Sequence, residues 1–164
     1  VRFKRGKSSM GWFYGFKLHL IVNEQGELLT FYLTPGNVDD RKPLPAMVAW
    51  LNLVGRLFAD KGYISKDLVQ QFLDNELHLI TPIRKDMKNR LLPLLDKLLL
   101  RKRAIIESVN DQLKNISQIE HSRHRSPTNF LVNLLSGLIA YTFQPKKPSL
   151  NLDRSLLSQL QVAI

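Results

Sequence analysis

The sequence predicts an α/β protein with a mixed sheet flanked by helices, and three observations carry the expectation. Two apolar runs with strand alternation come early, joined by a turn. Helix-like and strand-like runs then alternate. The last third becomes helical, with apolar residues recurring every three or four positions. The 164 residues suit one domain, and 44% hydrophobic residues are enough to bury a core.

The elements follow in order. Residues 1–11 are basic and rich in Gly and Ser, which predicts a flexible arm. Arg2, Lys4, Arg5 and Lys7 there can lie along a phosphate backbone, with a solvated tail as the equal alternative. From Trp12 to Val22 a strand is expected, Phe16, Leu18, Leu20 and Val22 pointing one way and Lys17, His19 and Ile21 the other. Asn23 to Gly26 is a turn, and Glu27 to Thr34 completes a hairpin. Asp39 or Asp40 is the expected cap of a helix from Arg41 to Leu53, with Pro43 and Pro45 near its start and Gly55 closing it. Arg56 to Asp60 is a short strand ending in a carboxylate. Ser65 caps a helix over Lys66 to Asn75, and a strand over Leu77 to Thr81 stops at Pro82.

Arg84, Lys85, Lys88 and Arg90 form a basic loop, and Leu91 to Leu100 reads as a helix broken near Pro93. A longer helix follows over Arg101 to Ser117. Glu120 to Pro127 is a basic connection, and Thr128 caps an apolar helix running to Phe143. Beyond it lies a low-order tail over residues 144–164, with a short amphipathic helix near Asp153 to Leu160.

Charge narrows the function. There are 24 Lys and Arg against 14 Asp and Glu, a net charge of +10, which favours a polyanionic partner; nucleic acid is the commonest. The absence of Cys excludes disulfides and thiolate metal sites and agrees with a reducing, cytoplasmic location. Phe130 to Phe143 is too short to span a bilayer and contains Asn133 and Ser136, so a buried helix and no membrane partner are expected.

Two stretches bear chemistry. On the Arg101–Ser117 helix, Arg103, Glu107, Asn110 and Lys114 share one stripe, while Ile105, Ile106, Val109, Leu113 and Ile116 share another. The bland reading is a solvated face with an i, i+4 pair. Asp60 ends a strand, where sites of open α/β sheets lie, though alone it reads as an ordinary turn residue. Two such carboxylates, without Cys or a convincing His set, suit a hard cation such as Mg²⁺. His121 and His124 have zinc-like spacing but no third ligand nearby, and the adjoining Arg123 and Arg125 fit phosphate better.

Ala59-Asp60-Lys61-Gly62-Tyr63 and the spacing Arg103-x3-Glu107-x6-Lys114 resemble the second-aspartate and glutamate motifs of DDE-type transposases from bacterial insertion sequences. Gly15 to His19 and Pro35 to Asp40 are similar to that family's second strand and the turn after its third. The similarity runs from about Lys7 to Phe143. It implies an RNase H-like fold, with residues 1–143 a partial catalytic domain. Asp60 and Glu107 would be catalytic ligands of Mg²⁺ or Mn²⁺, and Arg103, Lys114, Lys61, Arg123 and Arg125 would contact DNA. Double-stranded DNA, as transposon ends and target, is the implied partner, bound by a homodimer. The implied reaction is phosphodiester cleavage and strand transfer.

The sequence departs from the family pattern in two places. Leu100 stands where the signature has Tyr. The family's first aspartate lies on a central strand preceding the hairpin, and residues 1–11 contain neither Asp nor Glu. Asp39 and Asp40, at a helix start, do not replace it. The chain therefore resembles a truncated transposase, expected to be inactive alone. Two rivals stay open: a non-catalytic basic nucleic-acid-binding module, and an unfolded remnant.

Overall fold

The structure, a computed structural model, describes residues 3–8, 11–83, 93–120, 126–150 and 162–163. It is mixed α/β. Strands β1 (Lys4–Ser8), β2 (Gly11–Val22) and β3 (Leu28–Pro35) form an antiparallel sheet in that order. Helix α1 (Leu44–Leu51), strand β4 (Gly55–Phe58), helix α2 (Lys66–Leu73) and strand β5 (Leu77–Ile80) follow, and β4 pairs parallel with β5. The helices α3 (Leu94–Lys102), α4 (Ile105–Asn115) and α5 (Pro127–Thr142) come next, and β6 (Val162–Ala163) lies parallel on the other edge of β4.

The expected hairpin forms, with His19 opposite Tyr32 and Leu20 opposite Phe31. Alternation along its first strand divides the core in two. Val22, Leu18 and Leu20 pack toward Leu99, Ile105, Val109, Leu113, Leu134, Leu138 and Tyr141 of the last three helices. Ile21 packs instead with Leu44, Met47 and Val48 of α1 and Leu68 and Phe72 of α2. Strand β4 makes the same division, Phe58 joining the first cluster and Leu57 the second. Helices thus cover both faces, and Leu57, Phe58, Leu79 and Ile80 of the short strands are buried, while His78 stays exposed. Arg56 of β4 also pairs with the buried Asp96 of α3 at 3.2 Å.

Several expectations are corrected. The first residues are not only a flexible arm: Lys4–Ser8 is a strand, with Arg5 opposite Tyr14 and Lys7 opposite Trp12. Neither Asp39 nor Asp40 caps α1, which starts later at Leu44 behind Pro43 without a side-chain cap. Asp39 instead binds Arg41, whose side chain donates to it at 2.6 Å and holds its carboxyl well below the usual carboxylate range. Asp40 pairs with Lys17 at 2.8 Å. Asn52, in the left-handed conformation, ends α1, while Gly55 (φ 93°) opens β4.

The helix expected over Arg101–Ser117 is divided. Arg103 and Ala104 join α3 to α4 and keep right-handed dihedrals, but the amides of Ile106 and Glu107 reach back only three residues. That tightening interrupts the regular helix. Ser65 does cap α2, accepting from the Leu68 amide at 3.4 Å, whereas Ser126 and not Thr128 precedes α5. Helix α5 is not wholly buried: Val132, Leu135 and Ile139 face outward. The basic loop Arg84–Arg90, the start of the helix expected from Leu91, the His121/His124 pair and the helix expected near Asp153–Leu160 lie outside the described residues. Among the described residues, no helix is long and apolar enough to cross a membrane.

Candidate active site

Strand β4 delivers Asp60 to the start of the candidate site. Its ladder with β5 runs through Phe58, and the Ala59 amide adds a bond to Ile80 at 3.0 Å. Asp60 stands just beyond, at the head of a 3₁₀ turn over Lys61–Tyr63. Helix α4 supplies Glu107 in its first turn. Val109 and Leu113 are fully buried on the inner face of that helix, which leaves Glu107 on the exposed side.

Asp60, Arg103, Glu107 and Asn110 line one open cavity of about 230 Å³ with Tyr63 and His19. The Arg103 guanidinium donates to the Asp60 carboxylate from the junction between α3 and α4. Asp60 is 64% exposed and Arg103 only 20%, so the arginine reaches the carboxylate from a largely covered stem.

The other expected site residues fall differently. Lys114 lies two turns along α4, outside the lining, and pairs with Glu120 at 3.0 Å. Lys61 is exposed in the turn after Asp60. Arg123 and Arg125 lie outside the described residues.

Sequence reasoning did not place His19 and Tyr63 in the cavity wall. His19 is buried, shares a 2.9 Å hydrogen bond with Thr34 Oγ1 and lies 3.4 Å from the Tyr63 hydroxyl. Burial pushes the Tyr63 hydroxyl up to about 12, and the negative charges of Asp40 and Asp60 act in the same direction. The signal for His19 was present: it sits in the middle of a strand, on the side opposite Leu18 and Leu20.

Burial lowers the His19 pKa below its ordinary 6.5; Asp40 opposes the shift and Lys17 adds to it. The fold therefore favours neutral imidazole, while the unfolded chain takes up a proton as pH falls through 6.5. Stability from this residue is complete above that value and is lost on acidification below it. The melting temperature should fall between about pH 7 and pH 5, and His19→Gln should flatten that part of the profile. An unchanged slope in the variant would rule out His19 as the cause.

The class these features define is an α/β protein with an open cavity, lined by two carboxylates, at the carboxyl end of a strand. More particularly, the chain belongs to the transposase DDE domain family, whose model matches residues 2–127. Transposition, a form of DNA recombination, is the function of that family, and DNA is its substrate. No curated protein and no solved structure matches the chain.

Members of the family generally use a divalent metal ion. Oxygen donors from Asp60 and Glu107 suit such an ion in kind. They do not suffice in number: among the described residues no group of three His, Cys, Asp or Glu could hold one. Arg103 also occupies one oxygen of Asp60.

Proposed function

We propose that this chain is an RNase H-like transposase domain that binds double-stranded DNA across the cavity between Asp60 and Glu107 and is catalytically silent by itself. One observation carries the reading: a strand-end aspartate and a helix glutamate line a single open cavity beside Arg103. The RNase H-like assignment draws support from the two sheets. Leu18–Ile21 of β2 and Leu57–Ala59 at the end of β4 belong to separate sheets, yet they line that cavity and share both cores.

In this reading Asp60 and Glu107 would hold Mg²⁺ or Mn²⁺ only together with a further carboxylate, which the cavity lining does not supply. The ion would supply Lewis-acid polarisation of a phosphodiester. Arg103, Lys114 and Lys61 contact backbone phosphates, as do Arg123 and Arg125, and a homodimer holds the DNA ends and target. The net charge of +10 supports phosphate-dominated binding. The cytoplasm, where the DNA is, is the proposed location.

Duplex affinity should fall steeply with salt, log K dropping by about 0.9 per phosphate contact for each log unit. A flat salt titration would exclude the phosphate-dominated mode. Mn²⁺ at constant ionic strength should raise duplex affinity, and Glu107→Gln should remove the increase. The rival reading, a basic binding module without a metal site, has divalent ions only weaken binding, with Glu107→Gln making no difference.

A further inference from the structure

We infer that the β1–β2 ribbon is a second nucleic-acid surface, built to stack the bases of single-stranded DNA. Directly opposed residues of an antiparallel pair share one face. Here the register sets Arg5 against Tyr14 and Lys7 against Trp12, so two cations and two aromatic rings occupy the same side of the ribbon. Both rings are open to solvent, Trp12 at 63% and Tyr14 at 73% exposure. The Arg5 guanidinium lies 4.7 Å from the centre of the Trp12 ring and the Lys7 ammonium 5.6 Å away. Such contacts hold the indole in place without hiding it.

The ribbon is also braced. Tyr14 touches Phe3 at 6.0 Å between ring centres, Phe3 touches Phe16 at 4.6 Å, and Phe16 stacks on Phe130 of α5 at 5.3 Å. The aromatic series therefore starts at the helical core and ends in solvent.

An apolar partner would leave Arg5 and Lys7 facing uncharged surface, and a duplex keeps its bases stacked inside. A single strand satisfies both halves of the pattern: its bases offer planar faces to Trp12 and Tyr14, and its phosphates meet the cations. Tyr14 and Leu18, which lines the cavity from the same face of β2, are four residues apart, about 13 Å. A strand held on the ribbon thus lies within a few nucleotides of the Asp60–Glu107 cavity. This inference rests on the reading of the chain as a DNA-acting protein.

Fluorescence tests it directly, because Trp12 and Trp50 are the two tryptophans of the chain and Trp50 lies on the exposed side of α1. In a Trp50→Phe background, an oligothymidylate of about 15 nucleotides, within the site sizes of such surfaces, should quench the Trp12 emission. Trp12→Ala should then weaken single-strand binding about tenfold or more, as should Tyr14→Ala, while Trp12→Phe keeps most of it. Duplex affinity should change little in all three. Circular dichroism checks that each variant folds, and the quenching itself needs no change in the ribbon. Duplex binding without oligothymidylate binding or quenching would overturn this inference and leave the DNA reading standing. Equal loss for single strand and duplex in folded Trp12→Ala would overturn it too. Failure of both DNAs to bind would remove both readings.

Discussion

Phe58→Ala should cost this protein about 3–5 kcal/mol of stability. Phe58 is 2% exposed and shares the larger core cluster with Val22, Ile80, Leu99, Ile105 and Val109. Those neighbours come from two other strands and two helices, so no one element can shift to fill the space left behind. The loss is the transfer term of a buried aromatic ring plus the cavity term. Against a typical total of about 5–15 kcal/mol it is enough to populate the unfolded state appreciably. Phe58→Leu retains most of the volume and should cost much less. Urea denaturation provides the check: the midpoint should drop with little change in slope. A loss below about 1 kcal/mol would mean that the cavity closes, and that the core is looser than its burial implies.

The second expectation is complete absence of DNA cleavage by the chain alone. Two-ion phosphoryl transfer requires carboxylates enough to fix both ions about 4 Å apart. The acidic residues lining the cavity are Asp60 and Glu107, and Arg103 already neutralises the first. Incubation with duplex bearing transposon ends, in Mg²⁺ or Mn²⁺, should give no nicked product above the protein-free control. Arg103→Ala frees Asp60 but adds no ligand, so it should not create activity. Nicking that vanishes in Glu107→Gln would show that another carboxylate completes the site. Nicking that persists in Glu107→Gln would show a contaminating nuclease.

The hairpin was legible because alternating apolar residues flank a turn with a glycine, and Ser65 was legible as a cap because its role is local. The strand Lys4–Ser8 was not. Its residues are cationic or small, and what orders them is pairing with Trp12–Gly15, a partner seen only once the chain folds back. The junction at Arg103 and Ala104 carries no Gly or Pro, so the 3.6-residue pattern runs straight through it. The stripe of Arg103 and Glu107 survives there because both junction residues stay near helical dihedrals. Lys114 sits on the expected stripe but lies outside the cavity lining and pairs with Glu120, whose position depends on the chain after the helix. Sequence periodicity fixes the face of a helix; the depth along it belongs to tertiary structure.

The hairpin turn also has a clock built into it. Gly26 adopts φ 72°, and a side chain there would meet the Pro148 carbonyl oxygen. Its own carbonyl accepts from the fully buried Tyr141 hydroxyl at 2.6 Å, and the Leu150 amide donates to the neighbouring Glu24 carbonyl. Tyr141 is 115 residues downstream, so translation at about 5–20 residues per second leaves the turn without this partner for about 6–23 s. Both strands of the β4–β5 pair are synthesised well inside that interval. A nascent chain thus exposes the apolar flank of the β2–β3 hairpin throughout that interval. Chaperone dependence should concentrate there, and slowing translation before residue 141 should lower the yield of folded protein more than slowing it afterwards.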